Sequence, residues 1–490
     1  MRRRVTQLLA VGPYVFVALS FVVSRLVYRL SFGVRFDATP VGFYIQYIDP
    51  FFMREDLWRS LLYLHHQAPL QNLLVALPLR HLPADQAFAV LDAIYVALGL
   101  ATALGLVHLM LRLRASPLLA SLGTVLYTLN PTTVLYETWL FYHLPVTCIL
   151  LWSVIALWAF YQSGRARHGV ACFGLIALAA LFRSTLGPLF LGVLLALLVW
   201  LPPPWLPRVR SARLGVLRCA ALPLLVLALN SVKPQLVLGY GYGEAMAWGN
   251  LVTKVYTELP PAEQRRLQRE HLVSPAVGLF CLTDLAEFGT LRIPLTPTGV
   301  PLLDMERAPN RRWNAHALEY LWLTQRYYKP DALYLLKHYP EAYLHNVLRA
   351  VSAYAAAGTT DLMLPGTANY ALLRPLFEPI DAQLGRAPDG RLLALAIALP
   401  LVAAFGFWRL LHREPHPRAT RRERVVLTYM LLTIAYVTAV TTGVSFGDWS
   451  RYRYDIDPLY LTLGVLMLSD GARALRRVWQ SVRPLPDAAS

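Results

Sequence analysis

Between Leu64 and Asn72 the chain reads LHHQAPLQN, and Asp37, Asp49, Glu55 and Asp56 all fall within the thirty residues before it. Carboxylates, imidazoles and amides gathered in one stretch are the parts needed to move a proton to or from a bound hydroxyl. A second group lies near the C-terminus, in SFGDWSRYRYDIDPLYLTL, where Arg451, Tyr452 and Arg453 stand among Asp448, Asp455 and Asp457. A guanidinium offers a planar fork of donors that pairs with phosphate, and such a pair is stronger at a water-poor edge than in bulk water. Three further places carry isolated chemistry: Glu137 and His143 in NPTTVLYETWLFYH, Arg183 in FRST, and Lys233 at the head of NSVKPQLVLGYGYGEAMAWGN.

Each group also has a plainer account. Asp37 precedes Ala-Thr-Pro and Asp49 precedes a proline, both settings for a helix N-cap. Arg451 and Arg453 could anchor a span as part of an interfacial Arg/Tyr belt. Arg183 could snorkel to headgroups, and Glu137 and His143 could be solvated turn residues.

The elements that position these groups follow from composition. With 490 residues, 56% of them hydrophobic and 15% charged, and a mean hydropathy of +0.43, the chain is too apolar for an ordinary soluble domain. It reads as an all-α polytopic membrane protein. The net charge of +17 does not point to nucleic acid, because the arginines stand in short runs between apolar segments, where they set topology. The cysteines Cys148, Cys172, Cys219 and Cys281 have neither metal-ligand nor disulfide spacing. MRRR and the apolar run after it have no small-residue cleavage site, so they read as an uncleaved first span.

Apolar runs predict about ten transmembrane helices, at 8–30, 87–111, 115–130, 142–162, 169–182, 185–203, 214–230, 391–411, 425–443 and 456–470. If these alternate, MRRR, RLR (112–114), RARH (165–168), RVRSAR (208–213), RATRRER (418–424) and ARALRR (472–477) all fall on one side, with both termini in the cytoplasm. Residues 169–203 divide into two short spans, with Arg183 at an outward turn. One long helix there would put RARH and RVRSAR on opposite faces.

Two segments then face outward, 31–86 and 231–390, both expected to carry interfacial helices such as DALYLLKHYPEAYLHNVLRAVSAY. The chain divides into an N-terminal module over 1–230 with its first loop at 31–86, an exoplasmic segment over 231–390, and a C-terminal module over 391–490. The stretch after Lys233 is expected to be a flexible, substrate-facing loop.

An acid shortly after the first span, followed about thirty residues later by a Pro-Leu element, resembles the C-type superfamily of integral-membrane glycosyltransferases. The pattern is most similar to protein O-mannosyltransferases and bacterial aminoarabinose transferases. Asp37 and HHQAPL carry the resemblance in the first loop, and Arg451, Tyr452, Arg453 and Pro458 carry it near the C-terminus. Two positions depart from the pattern: Ala38 stands where a second acid is common, and Ala68 where the first proline of a pair is common.

The resemblance implies an inverting transfer from a polyprenyl-phosphate-linked sugar to an acceptor hydroxyl of a lipid, glycan or protein, on the exoplasmic face. It implies Asp37, or else Asp49, as base. Arg451 and Arg453 would receive the departing phosphate, helped by Arg183 and Lys233, and His65, His66, Gln67, Glu137 and Tyr452 would line the substrate site.

Asp37, Asp49, Glu55 and the two histidines could supply ligands for a divalent metal, but their spacing matches no motif and no cofactor is expected. The high content of Leu, Ala, Arg and Pro suits a high-GC bacterium, whose inner membrane would place the site in the periplasm. The rival readings are a transporter or flippase of lipid-linked substrates and a non-catalytic scaffold. Transporters place ionisable residues inside spans, where this chain shows only marginal cases such as Asp92 and His108.

Overall fold

Proline punctuates the chain. Pro50, Pro69, Pro117, Pro131, Pro188, Pro340 and Pro417 each open a helix, where the missing N–H is unneeded and the fixed φ is already helical. The computed structural model describes residues 2–200, 209–241, 244–311, 313–356, 358–360, 363–384, 394–411, 417–447 and 449–482, and among these it is all-helical with no strand. Asp448 and the ends of the expected spans at 201–203 and 391–393 lie outside the described residues.

The helices used below are α1 (Arg2–Ser31), α2 (Pro50–Glu55), α3 (Pro69–His81), α4 (Ala84–Arg112), α5 (Pro117–Leu129), α6 (Pro131–Thr138), α7 (His143–Ser163), α8 (Ala166–Phe182), α9 (Pro188–Trp200), α10 (Val209–Leu238) and α11 (Glu244–Tyr256). They continue as α12 (Lys329–His338), α13 (Pro340–Tyr354), α14 (Tyr370–Leu384), α15 (Ala394–Leu411), α16 (Pro417–Gly443), α17 (Trp449–Tyr454) and α18 (Asp457–Val482). Every segment expected to span falls on a helix of this set. Among the described residues five stretches are long and apolar enough to cross a membrane: Val11–Ser31, Ala84–Arg112, His143–Ser163, Arg213–Leu238 and Arg422–Gly443. A sixth results if α5 and α6, bent by 59° at Asn130, count as one, and three more apolar helices are shorter.

Their surfaces agree with that reading. Val15, Leu19 and Leu26 of α1 and Leu222 and Leu229 of α10 are exposed apolar stripes. In water such stripes are an aggregation surface; against hydrocarbon they are matched to their solvent. Among the described residues the two largest apolar cores lie one among the long helices and one within residues 245–335, where α11 and α12 pack together.

Three expectations change. The segment after Lys233 is not a loop: α10 continues through Pro234 to Leu238, and α11 starts six residues later, with Gly239 taking a positive φ between them. Glu137 is not at a turn but on α6, with both carboxylate oxygens on the Arg25 guanidinium of α1 at 2.7 and 2.6 Å. A side chain on Gly99 of α4 would collide with that carboxylate, so glycine is required for α4 to pass so closely. The amphipathic stretch 331–354 is two helices, α12 and α13, divided at Tyr339 ahead of Pro340.

Candidate functional site

Helix ends converge at the side of the bundle away from the basic runs. There α7 begins at His143, α8 ends at Phe182, α16 ends at Gly443 and α18 begins at Asp457. Between them opens a cavity of about 290 Å³. Gln46, His66 and Gln67 come to it from the first loop, Arg183 and Thr185 from the break after α8, Asn250 from α11 and Tyr452 from α17.

Arg183 is its only described charged lining residue, and it is 4% exposed. The chain leaves helical geometry at this residue, with φ −145° and ψ 114°, which turns the side chain out of the α8 ladder and into the cavity wall. One guanidinium nitrogen pairs with Asp455, and the plane lies 3.8 Å from the Tyr452 ring centroid and 5.3 Å from that of Tyr142. Among the described residues Nε and Nη2 meet no acceptor. A buried guanidinium with two unsatisfied donors is costly unless something in the cavity accepts from them.

Asp455 is shared. Its other oxygen stands 2.7 Å from Nδ1 of His143, which must carry the proton for that contact, and His143 Nε2 then has no partner among the described residues. His143, Asp455 and Arg183 thus form a buried chain that fixes the arginine's orientation behind the cavity.

The histidines of LHHQAPLQN enter a cluster that the sequence did not reveal. His66 stacks on His316 with ring centroids 4.4 Å apart, and His65 Nε2 donates to the His316 carbonyl at 3.1 Å. His316 Nε2 donates to the Tyr47 carbonyl at 3.1 Å, and His66 Nε2 faces the Ile45 carbonyl at 3.4 Å. Because carbonyls only accept, each Nε2 carries the proton, and each Nδ1 is left as an acceptor without a partner among the described residues. Burial pushes His65 down to about 4, His316 down to about 3 and His66 well below the ordinary imidazole value. All three are neutral near pH 7. Among the described residues no group of three His, Cys, Asp or Glu side chains is arranged to hold a metal ion.

The sequence-predicted residues divide between this cavity and structural posts. His66, Gln67, Arg183 and Tyr452 line it together. Asp37 does not: its Oδ1 accepts from the Thr39 N–H and hydroxyl at 3.0 and 2.6 Å, and its Oδ2 from the Ala368 N–H at 2.9 Å. Its backbone also bridges to the strand-like segment after α6, donating to Thr138 and accepting from Leu140. Asp49 caps α2 through the Phe51 N–H at 2.8 Å and accepts twice from Asn310. For Asp49 the plain capping account therefore holds.

Arg453 is spent on carbonyls of Tyr354 and Ala356, each at 2.6 Å, and on Asp457 at 3.0 Å. Arg451 donates to the Met363 sulfur and lies 5.4 Å from the Tyr452 ring centroid, behind the ring that faces the cavity. Lys233 donates to the Leu61 carbonyl at 2.9 Å. Glu137 is held by Arg25, and His65 sits one layer behind His66.

Gln46, Asn250 and His316 were not singled out by sequence. Their only signal was residence in the two segments already expected to face one side. The arrangement as a whole presents a cation with donors unmatched among the described residues, a neutral imidazole and three amides around one cavity. Such a set recognises an oxyanion and can receive a proton beside it. No family model, curated protein or solved structure matches this chain.

Proposed function

We propose that the chain is a ten-span membrane glycosyltransferase that moves a sugar from a polyprenyl-phosphate-linked donor to an acceptor hydroxyl on the exoplasmic face, which in a bacterial inner membrane is the periplasmic side. The observation that carries this reading is Arg183, buried in a cavity wall with two donor nitrogens unmatched among the described residues. Its position at the helix ends opposite the basic runs suits an exoplasmic site under the positive-inside rule. A lipid-linked donor explains why such a cavity sits at the end of apolar helices: the polyprenyl chain stays in hydrocarbon while the phosphate reaches the guanidinium.

In this scheme the acceptor oxygen attacks the anomeric carbon as the bond from that carbon to the phosphate oxygen breaks. The electron pair leaves with the polyprenyl phosphate, whose growing charge Arg183 stabilises. His66 takes the acceptor's proton on Nδ1. Burial keeps this imidazole neutral with its Nδ1 lone pair unmatched among the described residues, so it suits the work expected of Asp37 or Asp49, whose oxygens already accept from protein donors. A single displacement inverts the anomeric centre.

The transporter or flippase reading gains one observation, since Arg25 pairs with Glu137 and Arg29 with Asp92 within long apolar helices. Both arginines lie in the last two turns of α1, about 9 Å or less from its end, and both pairs are closed, which suits staples better than a path. The deciding experiment incubates purified protein with a panel of radiolabelled polyprenyl-phosphate sugars. Transfer or hydrolysis supports the proposal; no reaction combined with movement of labelled lipid across a reconstituted bilayer replaces it with transport.

A further inference from the structure

A second cavity lies at the opposite end of the long helices. On α18 it is lined by Asp470, Arg473 and Arg477, thirteen to twenty residues beyond Asp457, and therefore about 20–30 Å from the Arg183 cavity. Its volume is about 480 Å³. Three other pieces of chain meet there: Arg114 after α4, Trp408 and Arg409 at the end of α15, and Glu423 and Arg424 in the first turns of α16.

The charges in this wall do not balance. Five arginines line it against two carboxylates. Both carboxylates are already held: Glu423 by Arg409 at 2.7 Å, and Asp470 by Arg409 at 2.9 Å and by Arg473. Arg409 and Arg473 are further tied to the carbonyls of Leu113 and Arg114. Arg424 has a buried Nε without a partner among the described residues, and Arg477 stands exposed on the next turn of α18 after Arg473. Topological arginines need only lie near a span end. These instead close an ordered frame of ion pairs around a cavity, with Arg477 and the Nε of Arg424 standing outside that frame.

We propose that this cavity binds a phosphate-bearing anion, from the headgroup of an anionic phospholipid or from free phosphate. Guanidinium forks match phosphate oxygens geometrically, and basic pockets between helices at a membrane edge take phospholipid headgroups. Trp408, 48% exposed beside the arginines, sits where an indole lies at headgroup level and favours the lipid as source. The site is separate from the transfer chemistry, so its test needs no activity.

The experiment titrates the purified full-length protein in detergent with phosphatidylglycerol, phosphatidylcholine and inorganic phosphate, reading bound ligand by native mass spectrometry and calorimetry. Phosphatidylglycerol is expected to bind better than phosphatidylcholine. Arg424→Gln and Arg477→Gln are each expected to weaken it about fivefold, while Arg167→Gln, an exposed change on α8, leaves it unchanged. Arg477 lies on an open helix surface, so its variant stays interpretable if Arg424→Gln fails to fold. The same dependence seen with inorganic phosphate alone assigns the site to the free anion. Binding of all three ligands that ignores both substitutions overturns the proposal.

Discussion

Arg183 and Asp455 meet as a buried ion pair although 272 residues separate them in the chain. The pair holds the guanidinium in one orientation, with Nε and Nη2 left for a ligand. Arg183→Ala should therefore weaken donor binding by about tenfold or more. Arg183→Lys should restore only part of it, since a point charge lacks the fork. Calorimetric titration with a polyprenyl-phosphate sugar checks this, and unchanged affinity in both variants moves the phosphate site elsewhere.

Asp455→Asn leaves two formerly paired groups, Arg183 and His143, without their carboxylate. Stranding a buried cation costs about 3–5 kcal/mol, so the variant should melt well below the wild type. A double variant Asp455→Asn with Arg183→Gln should recover most of that loss while remaining unable to bind donor. Recovery of stability without recovery of binding separates the pair's structural work from the ligand's needs.

The base can be identified by comparing carboxamide and imidazole losses. His66→Gln should lower turnover about 100-fold or more with donor affinity nearly kept. Asp37→Asn and Asp49→Asn each turn one acceptor oxygen that faces a backbone N–H into a donor, which should cost about 1–3 kcal/mol of stability each, with smaller effects on rate. If Asp37→Asn abolishes turnover at normal stability while His66→Gln is harmless, the base is Asp37, as the resemblance implies.

Acid should loosen the first loop before the helices. His65 and His316 are held near 4 and 3 in the folded chain, below the unfolded value of about 6.5, so the unfolded state binds more protons between these limits. Stability is full above pH 6.5 and falls as pH drops toward 4, by on the order of 3 kcal/mol for His65 alone at pH 4. Melting curves recorded from pH 8 to pH 4 should show this slope. Substituting His316 by Phe should flatten it.

Labelling tests the sidedness. A cysteine at Thr185, which lines the cavity, should react with an impermeant maleimide from outside and be shielded by bound donor, whereas one at Ala166, at the other end of α8, should not react. Reaction of both from one side would mean that α8 and α9 do not cross separately.

How far the sequence could be read depends on the range of the contacts involved. The helices were legible because apolar runs and helix-opening prolines act locally, and the break at Arg183 was legible because a charge cannot sit inside a continuous apolar helix. The amides and imidazole of LHHQAPLQN could likewise be marked by type. What local pattern does not encode is which distant groups saturate an ion. Glu137 and Arg25 lie 112 residues apart, and Asp49 is filled by Asn310 at a separation of 261. An acid that looked available for chemistry was therefore already committed, while His316, unmarked in the sequence, lies against His66.

The distance along the chain between Arg183 and Asp455 also bears on biosynthesis. At about 5–20 residues per second, the ribosome needs tens of seconds after making Arg183 before its carboxylate emerges. On the proposed topology, α8 and α9 enter the bilayer throughout that interval with a cation at their junction and Asp455 not yet made. Water or a lipid phosphate has to stand in. The segment that carries Asp455 then displaces that substitute as it docks, so the cavity comes into being only once Asp455 has been made, and a nascent chain stalled earlier would carry Arg183 as an open anion trap.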